Sequence, residues 1–93
     1  MKFEQEPGRI FAVDAQGELL CEVTFPSSDG TATINRTYVS EVLRGQGVAG
    51  QLMEAAVRQI EEQGMQAEPV CSYAVKWFEN HPEKRALLKA AQQ

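Results

Sequence analysis

Cysteine and histidine are nearly missing from this chain of 93 residues, which has two of the first and one of the second. Cys21 and Cys71 could make at most one bridge, and nothing else argues for an oxidising compartment. One imidazole and two distant thiols offer none of the spacings that hold zinc, so no metal is expected. Basic charge is also short: 9 Lys and Arg against 13 Asp and Glu leave a net charge of −4. Non-specific nucleic-acid binding needs a basic face, so no nucleic-acid partner is expected. No apolar run approaches the length that crosses a bilayer, so no membrane partner is expected either. The opening MKFEQEPGRIF carries two glutamates where a signal peptide would need an apolar stretch, and a cytoplasmic protein is the expectation. With no repeat, low-complexity tract or linker, residues 1–93 read as one domain.

The first third alternates. RIFAVD (9–14) and ELLCEVTF (18–25) are strand-like around a turn closed by Gly17. Leu19, Cys21, Val23 and Phe25 share one face of the second strand, which makes Cys21 a core residue. After the turn PSSDG, the segment TATINRTYV (31–39) alternates again, with Ala32, Ile34 and Tyr38 on one face. The period then changes. Val48, Leu52, Ala56 and Ile60 recur every four residues, which predicts an amphipathic helix ended by Gly64. MQAEPV (65–70) predicts a short strand, with Pro69 at an edge or bulge. A second helix over 72–81 would stop at Pro82, with Trp77 and Phe78 in the core, and residues 83–93 predict a third, frayed helix. The fold class is therefore α+β: β-β-β-α-β-α, mainly antiparallel, splayed at the last strand pair, with a short C-terminal helix.

Gly45, Gly47 and Gly50 satisfy G-x-G-x-x-G, a pattern that also describes ordinary turns. A dinucleotide fold would place it in the first βα turn of a parallel sheet, whereas here it follows an antiparallel meander. A P-loop would end in Gly-Lys-Ser/Thr, and this loop ends Gly50-Gln51-Leu52. What remains is a strand, a glycine loop and a helix start. The first turn of a helix has unpaired amides and a partial positive charge, so it is suited to an anion. Glycines at 45 and 47 would keep side chains out of the way, Ala49 and Gly50 would permit close approach, and Arg44 could add a charge-assisted contact. The alternative is a glycine loop shaped only for a tight turn, with Arg44 solvated.

Arg44-Gly45-Gln46-Gly47-Val48-Ala49, preceded by a strand ending at Val39 and by apolar Leu43, resembles the signature Arg/Gln-x-x-Gly-x-Gly/Ala of the GNAT superfamily of acyl-CoA-dependent N-acetyltransferases. Cys71-Ser72-Tyr73 and His81-Pro82-Glu83 narrow the resemblance to a short, stand-alone GNAT-like subfamily. It implies that acetyl-CoA or coenzyme A binds as co-substrate through Val39, Arg44, Gly45, Gln46, Gly47, Val48, Ala49 and Gly50, in a cleft between the third and fourth expected strands. A strand amide near Val39 would polarise the thioester. The acceptor is implied to be an unidentified amine or protein. The chain lacks the strand and helix pair that wall the acceptor groove in full-length relatives. That groove would be open or completed by a second subunit, so a monomer or a homodimer is expected.

Four positions depart from the family. Glu41 stands where a proline is usual, and Phe78 where many members carry a tyrosine that protonates the leaving thiolate. Asn35-Arg36-Thr37 replaces the Asp-His-Thr common in the short subfamily, so a histidine base is absent there. Cys71 and Tyr73 remain as catalytic candidates. Cys71 falls where a strand hands over to a helix, a place that raises thiol reactivity, but a small buried hydrophobe reads equally well. Tyr73 reads as an acid or as a half-buried helix residue, and His81 as a cap on the end of its helix. The expected activity is N-acetyl transfer, with a non-catalytic acyl-CoA-binding module as the alternative.

Overall fold

A computed structural model describes residues 1–89. Strands β1 (Glu4–Glu6), β2 (Arg9–Val13) and β3 (Leu19–Thr24) form the expected meander, with β1 as an addition. Its three residues are all exposed and polar, so no alternation marks it. It holds its place by pairing with β2, and the Gln59 side chain ties down the connecting turn by donating to Glu6 C=O and accepting from Gly8 N–H.

The segment 31–39 is two strands rather than one. After the two-residue β4 (Ser27–Ser28) come β5 (Thr31–Ile34) and β6 (Arg36–Val39), separated at Asn35. Asn35 N–H donates to Thr24 C=O at 3.1 Å, and the Thr24 hydroxyl donates to Asn35 Oδ1 at 2.5 Å. One extra residue in a strand reverses which side chains point inward. Ala32 and Ile34 are fully buried as expected, but Tyr38 lies on the opposite, outer face beside Glu22. The same break divides the sheet: β6 completes an antiparallel sheet in the order β1-β2-β3-β6, while β5 joins β4 and β7 (Gln66–Pro69) in a second.

The β5–β7 pairing is parallel, while the other strand pairs are antiparallel as expected. A crossover helix between β6 and β7 allows this. That helix, α1 (Val48–Glu62), packs on β2, β3, β6 and β7 and buries Val48, Leu52, Met53, Ala56, Val57 and Ile60. The four-residue recurrence sets this stripe, and Leu52 at its centre would cost about 2–5 kcal/mol on truncation to alanine. Gly64, at φ +70°, closes the helix in the left-handed conformation that suits glycine. Pro69 ends β7, where its missing N–H interrupts no ladder.

The second helix, α2 (Ser72–Glu79), sits beside α1 and buries Ala74, Trp77 and Phe78. The third helix expected over 83–93 is instead a 3₁₀ turn over Pro82–Leu87, followed by a bridge from Leu88 to Ala67. Residues 90–93 of that expectation lie outside the described residues. No helix among the described residues is long and apolar enough to cross a membrane.

Candidate functional site

The glycine loop opens α1 as the sequence predicts. A 3₁₀ turn over Glu41–Leu43 follows β6, and Ser40 caps it by accepting from Val42 N–H. Gly45 and Gly47 both have positive φ, +82° and +74°, and a Cβ at either would meet nothing within 4 Å. The turn itself therefore requires glycine, and it leaves the surface above it bare. Gly47 is the N-cap of α1 and supplies no side-chain cap. Gln51 N–H reaches Gly47 C=O at 3.2 Å, so the amides of Val48, Ala49 and Gly50 precede the helical ladder and face outward. No acidic residue occupies this first turn. Arg44 is exposed beside it, and Gln46 folds back to donate to Val42 C=O at 3.4 Å.

These amides border an open depression of about 340 Å³, which Val39 and Leu43 line from the strand side and Tyr73 from α2. Gly50 and Tyr73 face each other across it: a Cβ at residue 50 would sit 3.7 Å from the Tyr73 hydroxyl. Burial, then the charge of Glu54 one turn along α1, pushes the Tyr73 phenol above its ordinary value, so it stays protonated at neutral pH.

Strand register sets the direction of the Val39 amide. Ser40 N–H donates to Leu20 C=O at 2.8 Å, while Val39 lies opposite Cys21 and Thr37 opposite Val23. Hydrogen-bonded and non-hydrogen-bonded pairs alternate in an antiparallel ladder. Thr37 and Val39 therefore turn their N–H groups away from β3, toward the gap left where β7 diverges. At the base of that gap the Ile34 carbonyl accepts from both Val70 N–H at 2.9 Å and Cys71 N–H at 3.1 Å. Cys71 is the half-buried N-cap residue of α2, and its Sγ lies 3.4 Å from Thr37 Oγ1.

Cys21 is fully buried in the core, and burial raises its thiol above the usual range despite a hydrogen bond from the Ala12 backbone. Phe78 packs edge-on against Trp77, with ring centroids 5.1 Å apart. It borders a different groove, with Pro69 and Leu88, and does not line the depression at the glycines. His81 stacks on the Trp77 ring at 3.8 Å and holds Trp77 C=O through Nδ1 at 2.7 Å, as a helix-end cap does. Arg36, standing where the subfamily has histidine, donates to Glu22 Oε1 at 3.0 Å on the outer sheet face. Arg9 donates to the other oxygen of Glu22 at 2.5 Å. Burial alone would raise the Glu22 carboxyl, but these two bonds outweigh it and hold the group below the usual range. Sequence patterning does not reveal Glu22, because its partners lie 13 and 14 residues away.

A family model described as GCN5-related N-acetyl-transferase matches residues 9–87, from β2 to the end of the last 3₁₀ turn. The chain belongs to that family. Among solved structures, this GCN5-related chain is similar to a GCN5-like protein from Staphylococcus aureus, with 26% identity and a TM-score of 0.77 over 95% of this chain and 87% of that one. It shares its fold with Ard1 from Thermoplasma volcanium (21% identity, TM-score 0.61, 80% of this chain and 53% of that one). It shares it also with a GNAT-family N-acetyltransferase from Escherichia coli solved in complex with CoA (23% identity, TM-score 0.60, 73% of this chain and 42% of that one). The chain thus spans most of the first and about half or less of the other two. No curated protein matches it.

Proposed function

We propose that this GCN5-related chain binds acetyl-CoA and transfers the acetyl group to an amine. The observation that carries the reading is one depression bordered by the bare glycine turn, the first amides of α1 and Val39, beside a gap into which the Val39 N–H points. The pyrophosphate would lie on the amides of Val48, Ala49 and Gly50, with Arg44 alongside. The pantetheine arm would enter between β6 and β7. An amine nitrogen attacks the thioester carbonyl, and charge developing on the oxygen is met by the Val39 N–H. A single pre-oriented donor of this kind is worth about 10²–10³ in rate. Collapse breaks the C–S bond, the thiolate takes a proton, and the new amide nitrogen loses one to solvent. Tyr73, held protonated and lining the same depression, is the proton donor for that thiolate.

The second reading, an acyl-CoA-binding module without catalysis, is favoured by Phe78 facing elsewhere and by Arg36 being engaged with Glu22. Release of CoA thiol on adding candidate amines to protein and acetyl-CoA separates the two. Amine-dependent release supports transfer. Binding without release for any amine supports the module.

A further inference from the structure

We infer that the Thr37–Cys71 contact is the end wall of the acyl pocket and restricts this chain to short acyl groups, acetyl above all. The inference deepens the acetyl-CoA reading and rests on it. From the glycine loop inward, the chain running from β6 back to the end of β5 and the segment that follows β7 close on each other in three steps. At Val39 the gap is open and continuous with the depression. At Thr37, two residues and about 7 Å further along the strand, Oγ1 touches Cys71 Sγ at 3.4 Å. At Ile34, the last residue of β5, the two segments are zipped, one carbonyl holding the amides of both Val70 and Cys71.

A methylene placed between two surfaces needs about 3.5–4 Å to each, so nothing passes between atoms already 3.4 Å apart. An acyl group whose carbonyl oxygen sits on the Val39 amide has about 7 Å of strand, less a contact distance of about 3.5–4 Å, before it meets this pair, so only a short chain fits. Each further carbon must push the pair apart. Their flanking backbone resists this, because Cys71 N–H is pinned to Ile34 and Thr37 lies in the β3–β6 ladder. Both side chains are only partly buried and neither makes up the fully buried core, so either can be trimmed without hollowing it.

Calorimetric titration of the wild-type protein with CoA, acetyl-CoA and butyryl-CoA tests this without knowledge of the acceptor. CoA and acetyl-CoA should bind alike, and butyryl-CoA about tenfold or more weaker, the scale of a misplaced methylene or two. Thr37→Ala and Cys71→Ala should each narrow that ratio while leaving CoA affinity in place. Thr37→Val, which keeps the bulk and drops the hydroxyl, should preserve the ratio. Butyryl-CoA binding as tightly as acetyl-CoA to the wild type, or a ratio that neither alanine variant moves, overturns the wall while leaving the CoA site standing. Failure of CoA itself to bind overturns the site and the wall together.

Discussion

Gly50 lies under the Tyr73 hydroxyl, and a Cβ at residue 50 would make only ordinary contact with it, at 3.7 Å. Gly50 sits inside α1 with no positive φ to demand glycine, so neither packing nor backbone conformation explains it. Close approach of the proposed CoA to the helix start would.

Gly50→Ala should therefore stabilise the apo protein by about 0.5–1 kcal/mol, the helix-interior preference of alanine over glycine. The same substitution should weaken CoA binding. Denaturant unfolding with and without CoA measures both effects. Loss of stability in the apo variant would mean that the Gly50–Tyr73 contact is tighter than it stands here.

Tyr73→Phe should lower kcat on the order of 10²-fold, the lower end of what a positioned acid contributes, and leave CoA affinity nearly unchanged. Steady-state kinetics with the amine identified by CoA release, paired with calorimetry, separate the two. An unchanged kcat would remove Tyr73 as the acid, and since Phe78 has no proton to give, the thiolate would then take its proton from water.

Iodoacetamide should alkylate Cys71 well before Cys21, because Cys21 is fully buried with a raised thiol pKa and Cys71 is half-buried at a helix start. Peptide mass mapping reads the order, and bound acetyl-CoA should protect Cys71. If Cys71 takes up the acetyl group covalently before an amine does, incubation with acetyl-CoA leaves an acetyl mark there. Transfer that survives Cys71→Ala unchanged would exclude that route and leave direct attack.

Glu22 contributes to stability through a depressed carboxyl pKa, since burial raises it but bonds from Arg9 and Arg36 more than compensate. A folded value below the unfolded one, about 4.3, gives stability that is present above that pH and lost as pH falls through the folded value. Glu22→Gln should cost about 1–3 kcal/mol near neutral pH, and the gap from wild type should shrink as pH falls below the ordinary glutamate range. A gap independent of pH would mean that the carboxylate charge contributes nothing.

Much of the candidate site's geometry was legible because it is local. The glycine loop, the start of α1 at Val48 and the strand end at Val39 fall within a dozen residues, and their backbone conformation follows from type and spacing. Non-local features were not. The break at Asn35 depends on Thr24, and it alone reverses Tyr38 to the outer face. Exposed, polar β1 has no pattern to read and exists only by pairing with β2. The Thr37–Cys71 contact joins residues 34 apart, and it depends on β7 arriving parallel to β5.

Amide chemical-shift mapping of the ¹⁵N-labelled protein during CoA titration reads binding at the start of α1 residue by residue. Saturable shifts are expected at Gly45 to Gly50, with a second set at Val39 and Tyr73. Absence of shifts there at millimolar CoA would contradict that binding, as would shifts centred instead on the groove beside Trp77 and His81.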